Sequence, residues 1–165
     1  MSMPIRPHFR TLQEHEAEAL LNRARIGRLA YVAHGHVDIE PIHFAYAQRW
    51  IYARTGAGTK LTTLTRNPWV ALEVDEVDGD FDWRSAVAKG TAYFLDHDPS
   101  PRGVALRESV VAMLRRIIPE TFTPSDPTPE RDVMFRIHVD ELHGRAASTR
   151  EPRPDVSPGA SPDVP

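Results

Sequence analysis

Cysteine is absent from the 165-residue chain. That removes a disulfide framework, a thiolate zinc site and a cysteine nucleophile together, and it fits a reducing compartment. No run approaches the ~18 apolar residues that a membrane-spanning helix needs. The N-terminal MSMPIRPHFRTL lacks the apolar stretch of a secretory signal. These absences lead us to expect a cytoplasmic protein with no membrane partner. An excess of one charge is missing too: the net charge is −3, so no basic field attracts a phosphate backbone and nucleic acid is not an expected partner.

What is present is an ordinary globular composition, 41% hydrophobic and 26% charged, at a length suited to one domain with a real core. We expect that domain over 1–148. From 149 to 165 the chain is rich in Pro, Ser and Asp, with almost nothing to bury, and reads as a disordered tail.

The hydrophobic pattern predicts a helix over Leu12 to Arg25, with Thr11 as N-cap and Glu14 completing a capping box. Ala17, Leu20, Leu21 and Ala24 form its apolar stripe. Strands follow. Gly27 to Ala33 alternates with Leu29 and Tyr31 on one face, His34-Gly35 forms a turn, and Val37 to Tyr46 returns. The alternation of the return strand changes phase at Pro41, which predicts a bulge or an edge there because proline cannot donate to a ladder. Trp50 to Arg54 is the next strand, then the loop TGAGT and a short helix ending at Asn67-Pro68. Trp69 to Val74 alternates clearly, an acidic loop DEVDGDFD follows, and Trp83 to Asp96 reads as a long strand kinked at Gly90. A helix after Pro101 faces inward with Leu106, Val110, Met113, Leu114 and Ile117. A last strand runs from Val133 to Gly144. Short antiparallel strands joined by tight turns predict a small barrel, a closure that removes exposed sheet edges.

Three segments could carry chemistry. In TGAGTKL, a hydroxyl, two glycines and Lys60 stand between a strand and a helix start, an arrangement that favours an anion. It is not a Walker A loop, because Thr59 precedes the lysine and Leu61 follows it. In PIHFAY, His43 falls on the opposite strand face from Ile42 and Phe44. In WRS, Trp83 and Ser85 share a face and offer a stacking surface and a hydroxyl. Each segment alone is also compatible with ordinary turns and packing. The remaining histidines and the acidic run Asp75 to Asp82 lack ligand spacing, so no metal site is expected.

Taken in order, IGRLAYVA, PIHFAY, WIYARTGAGTKL, NPWVALEVDEVD and WRSAVAKGTAYFL resemble the pyridoxamine 5′-phosphate oxidase-like family, closest to its nitroimidazole-resistance (Nim) branch. The resemblance implies a mainly β fold: a six-stranded antiparallel split β-barrel of Greek-key connectivity, with a few flanking helices. It also implies a homodimer enclosing FMN at its interface. Carried over by motif, Pro41, Ile42, His43 and Phe44 would run beside the isoalloxazine ring. Thr55, Thr59 and Lys60 would hold the phosphate, with Leu61 following, and Trp83 and Ser85 would complete the site. Two departures count against vitamin B6 oxidation. The second strand reads EPIHFAY without Lys or Arg, and DELHGRAASTR does not match the C-terminal Trp/Arg substrate motif.

The expected function is flavin-dependent two-electron transfer to or from an unidentified small molecule, with His43 as the one weak catalytic candidate. The alternative is a non-catalytic binder of flavin, of the deazaflavin F420, or of haem through a histidine. A cofactor-free relative that keeps only the fold is the third reading.

Overall fold

The computed structural model describes residues 6–95 and 98–149, apart from the side chain of Thr59. The elements run β1 (His8–Leu12), α1 (Glu14–Arg23), β2 (Ile26–Ala33), β3 (His36–Ala47), β4 (Trp50–Thr55), α2 (Thr59–Arg66), β5 (Trp69–Gly79), β6 (Asp82–Phe94), α3 (Pro101–Arg115) and β7 (Val133–Ser148). One antiparallel sheet has the order β1-β7-β4-β3-β2-β5-β6, and a further β6–β7 ladder joins its ends. Strands β2 to β7 therefore form a closed six-membered circuit, and β1 is added outside it on β7.

Period-two alternation sends Leu29, Phe44, Ile51, Leu72, Ala88, Phe135 and Ile137 into the barrel core. Ala17, Leu20 and Leu21 bring α1 into the same core. Gly144 lets β7 pass close to it, since a Cβ there would stand 2.8 Å from that of Leu12 and 3.1 Å from that of Ala17. A second, smaller cluster of Val110, Leu114 and Met134 holds α3 to the outside of the barrel.

Several expectations meet the structure directly. His34 and Gly35 both have positive φ, 51° and 78°, as a two-residue hairpin with right-handed twist requires. The β6–β7 register shifts at Lys89/Gly90, where a Cβ on Gly90 would lie 1.7 Å from the His138 carbonyl oxygen.

Others need correction. The sheet has seven strands, because HFRTL pairs with β7 from Gly144 to Ser148. Thr11 therefore lies in a strand. The helix begins at Glu14, and its capping box is made by Gln13 and Glu16. The acidic run is mostly strand rather than loop, with β5 reaching Gly79 and β6 starting at Asp82. Two of its carboxylates are ion-paired there: Asp75 with Arg28, which also pairs with Glu73, and Glu76 with Arg23. Helix α3 ends at Arg115, ahead of Pro119. The tail, apart from Thr149, lies outside the described residues. Thr149 donates from its backbone and hydroxyl to the Asp82 carboxylate, at 3.1 and 2.8 Å.

Candidate functional site

The β3–β4 ladder runs only from Ala47↔Trp50 to Phe44↔Ala53. Beyond it the two strands part. From His43 back to His36, β3 pairs only with β2 among the described residues, whereas β4 continues on β7 to Thr55↔Val133. No register shift marks Pro41, so the proline sits at an edge rather than in a bulge. Phe44 donates its N–H towards β2, to the Arg25 carbonyl at 3.1 Å. By alternation, the peptide groups of odd-numbered residues face the split. His43 thus presents an N–H and a carbonyl there, and Pro41 presents a carbonyl alone.

The split is bordered by charge. Lys60, in the first turn of α2, makes an ion pair with Glu40 of β3. Glu40 also accepts the Tyr31 hydroxyl at 2.6 Å. Burial pushes the Glu40 carboxyl up, but the hydrogen bonds from Lys60 and Tyr31 outweigh it and hold it below its usual range. Burial, with Glu40 and then Asp38, pushes the Tyr31 phenol well above its usual range. His43 is held low, first by desolvation and then by the guanidinium groups of Arg131, Arg25 and Arg54, so its imidazole is neutral at pH 7.

Arg131 reaches this place through a buried staple. Arg54 donates to both Asp126 oxygens, at 2.6 and 2.7 Å, to the Thr128 hydroxyl at 3.0 Å and to the Arg131 carbonyl at 3.2 Å. Asp126 also accepts the backbone N–H groups of Phe122 and Thr128, at 2.7 and 2.9 Å. The loop after α3 is thereby fixed against the end of β4. Arg131 and Arg25 form no ion pair among the described residues. Arg25 instead donates to the Ile117 carbonyl, and Arg131 lies in a proline-rich loop where spacing offers no signal.

The structure brings some expected site residues together and separates others. Pro41 and His43 face outward at the split. Ile42 and Phe44 turn their side chains into the core and their peptide groups towards β2. Thr55 ends β4 and is buried, Gly58 precedes α2 with φ 159°, and Thr59, Lys60 and Leu61 open that helix. Trp83 and Ser85 lie on β6, three strand spacings from β3 and about 14 Å along the sheet. Ser85 donates to Glu73 at 3.0 Å, and Trp83 packs on Phe9 with ring centroids 6.3 Å apart. Within one chain, therefore, Trp83 and Ser85 have Phe9 and Glu73 as their partners.

The outward face beside the split is apolar. Val37 is 71% exposed, Trp69 65% and Ile39 60%, and Val32 and Ile26 are exposed with them. The register sets Val32 opposite Val37 and Ala30 between Ile39 and Ala71, which brings these apolar side chains together, while the ion-paired Arg28 separates them from Ile26 on the same face.

Comparison with known proteins places this arrangement. A FAD-binding protein from Mesorhizobium loti is 28% identical with a TM-score of 0.66, over 83% of this chain and 96% of that one. A candidate 5-nitroimidazole antibiotic resistance protein from Bacteroides thetaiotaomicron shares the fold at 17% identity and TM-score 0.66, over 86% of this chain and 88% of that one. An uncharacterised Rhizobium meliloti protein is 25% identical over 86% of this chain and 97% of its own length. The pyridoxamine 5′-phosphate oxidase family profile matches residues 13–146. The chain belongs to the pyridoxamine 5′-phosphate oxidase family.

Proposed function

We propose that this protein is a homodimeric, FMN-binding oxidoreductase that passes two electrons to or from a small molecule. The observation that carries the reading is the β3–β4 split, where the edge of β3 that carries Pro41 and His43 meets Lys60 through its ion pair with Glu40. A flavin supplies the redox chemistry, and the chain supplies binding, orientation and electrostatics. Peptide groups of Pro41 and His43 would hold the ring edge, with the imidazole beside it. Thr55 at the end of β4 and Thr59, Lys60 and Leu61 at the start of α2 would hold the phosphate, aided by Arg131. The apolar patch around Val37, Ile39 and Trp69 would receive a second copy of the chain. Trp83 and Ser85 would then complete the site across that interface.

The absorption spectrum and sedimentation of the purified protein test this reading. Flavin bands that can be restored with FMN, a dimeric mass and bleaching by NADPH are the expected results. A monomer with no affinity for any flavin would overturn it. The Mesorhizobium relative binds FAD, which shares the phosphate and ring of FMN, so mass spectrometry of the extracted chromophore distinguishes the two. A Soret band would instead indicate haem. Flavin binding without reduction by any donor would support the non-catalytic alternative.

A further inference from the structure

Resting on the assignment of Lys60 to the cofactor phosphate, we infer that Glu40 is a built-in counter-anion that competes with that phosphate for the lysine and sets cofactor affinity. The Lys60 side chain is only 15% exposed, and Glu40 is the carboxylate paired with it. A phosphate that reaches this ammonium must either displace Glu40 or share the lysine with it. In both cases two anions stand a few ångströms apart in a partly desolvated place, where like charges repel strongly.

Glu40 is not free to swing away without loss. Its other oxygen accepts the hydroxyl of Tyr31, which is itself 4% exposed. Tyr31 has one further acceptor, Asp38, at 3.3 Å. Residue 40 is also held from behind, because it is paired with Leu29 in the middle of the β2–β3 ladder. The carboxylate is therefore fixed from two sides, beside the cation that the phosphate needs. The charge of Arg131 acts on the same carboxylate and on His43, so a second cation adds to the field of Lys60 here.

Glu40→Gln is the informative change. It removes the charge and keeps one carbonyl oxygen, enough to accept the Tyr31 hydroxyl, while an NH2 replaces the oxygen that faced Lys60. Titration of the full-length protein with FMN should show affinity about tenfold tighter than wild type. Riboflavin, which has no phosphate, should bind both proteins equally. In a Lys60→Ala background, Glu40→Gln should gain less than twofold. An unchanged or weaker FMN affinity, or an equal gain for riboflavin, would overturn the inference. Thermal stabilisation by inorganic phosphate separates this inference from the flavin reading. If neither protein binds a flavin but Glu40→Gln alone gains a phosphate response, the counter-anion role stands and the flavin assignment falls. If Glu40→Gln gains neither response, the counter-anion role falls.

Discussion

Arg54 and Asp126 form a two-pronged ion pair whose side chains are only 7% and 2% exposed, and this pair ties the loop after α3 to the last residues of β4. The loop carries Arg131, whose charge acts on His43, so the staple joins the stability of the fold to the electrostatics of the split. Arg54→Met should leave a buried carboxylate without its partner and lower the melting midpoint by about 10 °C. Flavin affinity should fall with it, because Arg131 loses its anchor. A midpoint within one or two degrees of wild type in a thermal scan would contradict this.

Acid should act on the same contacts. The Arg54 guanidinium holds the Asp126 carboxyl far below the usual range. Arg10 does the same for Glu16, whose pKa is lowered to about 2, by hydrogen bonds of 2.7 and 2.8 Å. Groups depressed on folding stabilise the fold above their unfolded values near 4, and that contribution is lost as pH falls through the folded ones. Stability should therefore decline from about pH 5 towards pH 2. Glu16→Ala, which also removes the capping box, should cost about 1 kcal/mol at pH 7 in a denaturant titration and should flatten the acid limb.

His43 offers a probe of the site itself. Its folded pKa is depressed by desolvation and by three guanidinium groups. The unfolded chain takes up that proton more readily, so this histidine costs stability as pH falls below about 6.5. Imidazole resonances should titrate below the ordinary value in the free protein. FMN should move the titration upward, because a phosphate dianion nearby favours the imidazolium. A His43 titration insensitive to FMN would move the cofactor site away from this histidine.

Lys60→Ala should weaken FMN by about 1–3 kcal/mol, the scale of a charge-assisted hydrogen bond, and leave riboflavin binding unaltered. Isothermal titration distinguishes that pattern from a general loss of the site, in which both ligands would suffer.

The apolar patch can be tested by charge. Ile39→Glu alters a side chain that is 60% exposed in one subunit, so the stability of the isolated fold should change by no more than about 0.5 kcal/mol. A second copy seated on the patch would have to bury that carboxylate. Sedimentation should then show the dimer dissociation constant rising by at least about tenfold. An unaltered dimer would move the interface to another face.

Much of this protein is legible in its sequence because strand alternation is local. The inward sets Leu29–Tyr31, Ile42–Phe44–Tyr46 and Val70–Leu72–Val74 can be read from neighbouring residues, and all are buried. The His34-Gly35 turn and the Gly90 irregularity are local as well, since each follows from the geometry open to one or two residues. The family resemblance rests on the same short segments. What the sequence leaves undecided is non-local. HFRTL is exposed at four of its five positions and becomes a strand only because β7 lies beside it. Glu40 and Lys60 meet because α2 folds back onto the barrel, against β2 and β6. The charge of Arg131 acts on His43 because Arg54 captures Asp126, 72 residues along the chain, and holds their shared loop against β4. Alternation tells which way a side chain points, whereas only the closed barrel decides which distant charges it meets there, because loop closure carries no mark in local spacing.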